Sequence, residues 1–284
     1  MKVLLINILF LIFIISPLYS HASEIDTINV FSNSMNRNIE VVVISPTLKE
    51  SNGSFPVIYL LHGFQGNAKT WMQTKKNLPE ITDKMKVMFV CPNGNKSWYI
   101  DSPKESALKY ETFISGELIE YIDNNYPTIK DRKGRAITGM SMGGHGALYN
   151  AFRHSDIFGA AGSTSGGVDL RPFPQRWNLE TLFGSYHENR ELWDKYMVVN
   201  QINYIKDKDL ALIIDCGTED FFFKVNEELH NKLLENKISH DYIVRPGKHN
   251  NDYWENSIDY QICFFEKYFC LLYTSPSPRD RQKS

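Results

Sequence analysis

The chain has 284 residues, with 31 Lys and Arg against 33 Asp and Glu, so its formal net charge is only −2. That balance, without any basic run, shows nothing built to neutralise phosphates and disfavours nucleic acid as a partner. Hydrophobic residues make up 42% of the sequence, enough for one sizeable α/β domain with a full core.

Met1-Lys2, the apolar run to Ile15 and the small residues ending in Ala22 have the three parts of a secretory signal peptide. Cleavage after Ala22 is expected, which places the protein outside the cytoplasm, secreted or periplasmic. The run is short for a bilayer and interrupted by Asn7, so no membrane span is expected after cleavage. The domain proper is read as residues 23–269. Residues 25–45 hold two alternating segments around Ser32-Asn33-Ser34, an opening antiparallel pair. Residues 56–61 are nearly continuous in apolar character, as in a strand buried on both faces. That strand exits through His62-Gly63-Phe64-Gln65-Gly66 towards a helix starting near Ala68. Residues 86–91 form the next strand, and residues 110–126 have helical spacing up to Pro127.

Residues 135–139 are a short apolar strand, followed by Met140-Ser141-Met142-Gly143-Gly144-His145-Gly146 and a helix of small residues. A further strand is expected at residues 158–163. Residues 166–209 are polar and aromatic-rich, read as an insertion of short helices and loops. Arg171-Pro172-Phe173-Pro174 and Trp177, which open it, read as a candidate partial lid. Residues 210–215 are another buried strand, with Gly217-Thr218-Glu219-Asp220 as its exit. A helix follows at residues 221–236, a last strand at 239–245, the exit loop Pro246-Gly247-Lys248-His249, and a closing helix at 252–269. Strands alternating with helices give the α/β class, a doubly wound and mostly parallel sheet with antiparallel N-terminal strands. From Cys270 the composition changes abruptly and resembles a translated sequencing adapter. Residues 270–284 are therefore expected to be a non-native, disordered tail. Of the remaining cysteines, Cys91 and Cys216 each end a predicted strand and read as buried thiols. No cysteine spacing suits zinc, and neither metal nor cofactor is expected.

The chemistry concentrates at Gly139-x-Ser141-x-Gly143. A serine on so sharp a strand-to-helix turn presents its hydroxyl above the sheet edge, and the following helix directs its free N–H groups at the same point. A serine hydroxyl needs a base, and the base needs a third group to fix its tautomer. Parallel sheets carry such groups in the loops leaving the carboxyl ends of strands. Taken in order, those loops give Ser141, Asp220 and His249. Asp220 is preferred to Glu219 and Asp215 because it stands past the strand end with room to face His249. The loop after residues 56–61 supplies one oxyanion donor, the N–H of Phe64, and the residue after the nucleophile supplies the other, the N–H of Met142. The His62 side chain reads as a structural hydrogen-bonding group. Trp98 and Tyr99, in another exit loop, read equally as an aromatic substrate wall or as packed loop anchors.

Tyr59-Leu60-Leu61-His62-Gly63, the extended elbow through Leu148, and Pro246-Gly247-Lys248-His249 resemble the esterase D-type putative esterase family of α/β-hydrolases. That family includes S-formylglutathione hydrolases, feruloyl and acetyl-xylan esterases, and the antigen 85 mycolyltransferases. The resemblance implies an α/β-hydrolase fold and an acyl-enzyme mechanism, with Ser141, His249, Asp220, Phe64 and Met142 in the roles above. Lys248 departs from the glycine that many relatives carry there. Export disfavours a cytosolic thioester and fits removal of acetyl or hydroxycinnamoyl groups from an oligosaccharide or small ester. The alternatives are an acyltransferase, a thioesterase, and a non-catalytic carbohydrate-binding protein.

Overall fold

The computed structural model describes residues 23–47 and 53–274. Eight strands form one sheet: β1 Glu24–Ser32, β2 Arg37–Ser45, β3 Val57–Leu61, β4 Met88–Pro92, β5 Arg135–Gly139, β6 Ala160–Thr164, β7 Ala211–Gly217 and β8 Asp241–Arg245. Their order is β1-β2-β4-β3-β5-β6-β7-β8. The β1–β2 and β2–β4 pairings are antiparallel and all the others are parallel. The expected α/β class and the antiparallel opening pair are therefore present.

The sheet is covered on both faces because its strands are apolar in both registers. Along β3, Val57, Tyr59 and Leu61 point into one core while Ile58 and Leu60 point into the other. The covering helices are α1 Thr70–Thr74, α2 Leu78–Met85, α3 Tyr110–Thr112, α4 Leu118–Asn125, α5 Met142–Arg153, α6 Leu179–Phe183, α7 Arg190–Tyr196, α8 Phe223–Glu235 and α9 Asn251–Thr274. The helical segment expected at residues 110–126 is continuous but widens to a π-turn at Phe113–Glu117, between α3 and α4. The insertion folds as expected into α6, α7 and two short 3₁₀ turns.

One expectation for the C-terminus is corrected. Helix α9 runs on through residues 270–274. The Leu271-Leu272-Tyr273 stretch suits a helix, and no proline interrupts the register before Pro276. The rest of the expected tail, residues 275–284, and residues 1–22, read as a signal peptide, lie outside the described residues.

Two features place the site. Gly139 and Gly143 let α5 start directly against the end of β3. A Cβ at Gly143 would sit 2.1 Å from the Leu61 carbonyl oxygen, and one at Gly139 would sit 2.5 Å from the Gly143 carbonyl carbon. Asp215, fully buried near the end of β7, accepts from Ser257 Oγ at 2.7 Å on α9 and from the Arg245 guanidinium at 2.9 Å on β8. It thereby fixes the carboxyl ends of the last two strands together.

Candidate active site

Ser141 stands between β5 and α5 with φ 56° and ψ −117°. A non-glycine residue in that region costs about 1–3 kcal/mol, held here by the surrounding packing. Its N–H donates to Thr164 O at 2.9 Å, and its carbonyl accepts from the N–H groups of His145 and Gly167. With the backbone so restrained, the side chain projects beyond the sheet edge at the positive end of a 12-residue helix.

The loops carrying Asp220 and His249 are laced to one another by their backbones. Thr218 N–H donates to Arg245 O, and Glu219 N–H to Gly247 O, each at 2.9 Å. Gly217 makes this approach possible, since a Cβ there would meet Gly247 O at 2.4 Å. The side chains then align. Asp220 Oδ2 lies 2.8 Å from His249 Nδ1, and His249 Nε2 lies 2.8 Å from Ser141 Oγ. A carboxylate only accepts, so Nδ1 carries the proton, and the Nε2 lone pair is left to accept from the serine hydroxyl. The other Asp220 oxygen accepts the Phe222 N–H at 2.8 Å, and the carboxylate is sealed from solvent. Glu219 lies outside this arrangement, with its exposed carboxylate 3.6 Å from Lys248 Nζ.

The loop after β3 closes over the serine. A Cβ at Gly63 would rest 3.5 Å from Ser141 Cβ. The N–H groups of Phe64 and Met142 have no protein acceptor among the described residues. Gly66 N–H donates to Gly63 O at 3.0 Å, and Gln65 takes φ 68° inside that turn. His62, one residue upstream, is buried and bonded at both ring nitrogens: Nε2 accepts from Gly94 N–H at 2.8 Å and Nδ1–H donates to Gly63 O at 2.7 Å. Burial pushes its pKa down to about 4, so the ring is neutral and ties the β3 exit to the β4 exit.

These groups open into a cleft of 510 Å³ lined by Gly63, Phe64, Gln65, Gly66, Asn67, Thr70, Gln73, Met140, Ser141, Trp177, Phe221, His249, Asn251 and Trp254. A second cleft of equal volume lies at the opposite, amino ends of β6 to β8, around Arg132, Leu210, His240 and Tyr268. Among the described residues, its lining holds no nucleophile paired with a base, whereas the first cleft holds Ser141 and His249.

Trp98 and Tyr99 do not line the active cleft, and the substrate-wall reading of them is corrected. Both take left-handed backbone angles, φ 54° and 58°, which turn the side chains inward. Both are buried. Tyr99 fills slots over Gly94 and Gly146, where a Cβ would come within 2.1 and 2.6 Å of its ring, and its hydroxyl donates to His62 O at 3.2 Å. Trp98 packs edge-on against His145 and Trp177, with centroids 5.5 and 5.8 Å away. They are the packed anchors of the alternative reading. The aromatic wall comes instead from Trp177 and Phe221, with Trp254 behind the imidazole. Phe221 and Trp254 carry no sequence signal beyond lying just after Asp220 and His249.

A family model described as a putative esterase matches residues 32–264. An acetyl esterase of Caldicellulosiruptor saccharolyticus is 25% identical over 253 residues, covering 81% of this chain and 94% of that protein. An S-formylglutathione hydrolase of Bos taurus is 22% identical over 232 residues, or 72% of this chain and 80% of that one. The solved structure of a ferulic acid esterase superposes with a TM-score of 0.73 at 26% identity, covering 87% of this chain and 99% of the other. An S-formylglutathione hydrolase from Staphylococcus aureus shares the fold at TM-score 0.74 and 20% identity, covering 86% and 99% of the two chains. The match runs from β1 into α9 and takes in the elbow and both exit loops, so the chain belongs to the putative esterase family and is a carboxylic ester hydrolase.

Proposed function

We propose that the protein is an exported serine esterase that removes acetyl or hydroxycinnamoyl groups from carbohydrate through an acyl-enzyme. The observation that carries the mechanism is the unbroken relay from Ser141 to His249 to Asp220, with both contacts at 2.8 Å. Ser141 Oγ attacks the ester carbonyl while His249 Nε2 takes its proton. The tetrahedral oxyanion receives the free N–H groups of Phe64 and Met142, each worth about 10²–10³ in turnover. His249 then passes the proton to the departing alcohol oxygen, and water enters by the same route in reverse. Asp220 holds the ring and its tautomer and stabilises the imidazolium.

The substrate class is supported by the lining of the cleft. Its side chains are aromatic rings, amides, a methionine and hydroxyls, and no Lys, Arg, Asp or Glu lines it among the described residues. That suits a neutral, hydroxyl-rich alcohol; the cation at its rim, Lys96 Nζ, lies 5.6 Å from the Phe64 ring and does not line the cleft. The names of the acetyl esterase and ferulic acid esterase relatives point the same way. Export rests on the pattern of residues 1–22, and mass determination of the mature protein from culture fluid or periplasm tests it, with an N-terminus at Ser23 expected. A panel of acetylated xylan, feruloylated oligosaccharide, S-formylglutathione and p-nitrophenyl acetate tests the substrate class. Carbohydrate esters are expected to lead in kcat/KM and Ser141→Ala to abolish every activity. Preference for S-formylglutathione would sink the carbohydrate reading, and activity retained in Ser141→Ala would sink the mechanism.

A further inference from the structure

Phe221 is 49% exposed and directly follows the buried Asp220. Its ring lies 4.3 Å from the imidazole of His249, tilted by 39°. Trp177, carried in by the insertion, runs nearly parallel to Phe221, with centroids 5.8 Å apart and 26° between planes. Phe173, Phe222 and Trp98 pack behind Trp177 at 5.7, 5.2 and 5.8 Å. Trp177 and Asn178 both hold positive φ, 51° and 56°, so the backbone is strained where it delivers the indole to the cleft. The result is an aromatic wall that begins at the imidazole with Phe221 and continues through Trp177 along the cleft.

The direction of proton transfer says which half of the ester meets that wall. His249 Nε2 must reach the oxygen of the departing alcohol, so the alcohol half lies over the imidazole and its neighbours. The acyl carbon is held between Ser141 Oγ and the amides of Phe64 and Met142, on the far side of the relay. We propose that Trp177 and Phe221 form the leaving-alcohol subsite and that their ligand is a sugar ring, whose C–H face packs on the aromatic wall. Gln65, Gln73 and Asn251 line the same cleft, and their amide side chains hydrogen-bond no other protein group among the described residues. They are available to the ring's hydroxyls. The assignment rests on the serine-esterase reading and deepens it: Trp177 and Phe221 set specificity for the alcohol, and acyl-chain length is set elsewhere.

The test varies one half of the ester at a time in purified full-length protein. The probes are peracetylated methyl β-xylopyranoside and ethyl acetate for the alcohol, and ethyl acetate and ethyl butyrate for the acyl group. For Trp177→Ala, the kcat/KM ratio of sugar acetate to ethyl acetate is expected to fall roughly tenfold, mainly through KM, the size of one lost aromatic contact. The butyrate to acetate ratio should hold, and Trp177→Phe should recover most of the loss. Phe221→Ala removes an exposed side chain and keeps the result readable should Trp177→Ala fail to fold. It should move the same ratio in the same direction. A shift in the acyl ratio with the alcohol ratio constant would overturn the proposal. So would an equal fall for all esters, which would mean that the rings only support His249. Failure of the serine mechanism would appear separately, as activity surviving in Ser141→Ala.

Discussion

Acidification should destabilise this protein through two buried imidazoles, and the size of the effect follows from their surroundings. His62 is bonded at both ring nitrogens in a dry pocket. His145, fully buried on α5, lies with Nδ1 3.0 Å from Gly167 O and with Nε2 unpaired among the described residues. Burial lowers each pKa from 6.5 to about 4. The unfolded chain therefore binds two protons that the folded chain refuses between those values. Stability conferred by the neutral rings is complete above about pH 6.5 and drains away as pH falls towards 4. At pH 4.5 each ring should have cost about 2.5 kcal/mol, or about 5 for the pair. That is a large part of a typical domain stability of about 5–15 kcal/mol. Urea unfolding of the wild type at pH 7 and 4.5 measures the sum, and His62→Asn should show roughly half the acid-induced loss. Imidazole proton resonances followed by NMR supply the individual titrations. Stability unchanged within about 1 kcal/mol, or a His62 resonance titrating as an ordinary solvent-exposed histidine does, would refute the reasoning.

The remaining predictions concern the geometry around the relay. Asp220→Asn should lower turnover by about 10⁴ through loss of the imidazole tautomer, with p-nitrophenyl acetate kinetics as the readout. Glu219→Gln should leave turnover near the wild-type level, because among the described residues that exposed carboxylate pairs with Lys248 alone. Gly143→Ala should destabilise by about 3 kcal/mol, since its methyl would land 2.1 Å from the Leu61 carbonyl oxygen and 2.8 Å from that of His62, both backbone atoms. Thermal unfolding checks this, and a near wild-type Tm would contradict the close approach of α5 to β3.

The relay was legible in the sequence because its determinants are local. Ser141 sits in a glycine-flanked turn between an apolar strand and a small-residue helix, and that pattern has few other uses. Asp220 and His249 follow two apolar runs directly, and a parallel sheet brings such exit loops to one edge. Trp98 and Tyr99 occupy an equally good position after β4. Their side chains turn inward because both residues adopt positive φ, Tyr99 over the slots at Gly94 and Gly146 and Trp98 against Gly167, which no pattern in the chain announces. Phe221 and Trp254 were missed for the opposite reason. Each reads as an ordinary apolar residue at a helix start, and only the lacing of the β7 and β8 loops brings both against His249. At the C-terminus, the change of composition at Cys270 hid the fact that residues 271–274 could extend an existing helix.

The most direct measurement of the central claim is covalent trapping of the nucleophile. The intact protein is treated with an alkyl fluorophosphonate and digested, and the modified peptide is sequenced by mass spectrometry. A single adduct on Ser141 is expected, lost in Ser141→Ala and strongly slowed in His249→Ala. An adduct on another residue, or labelling that persists undiminished in Ser141→Ala, would contradict the account.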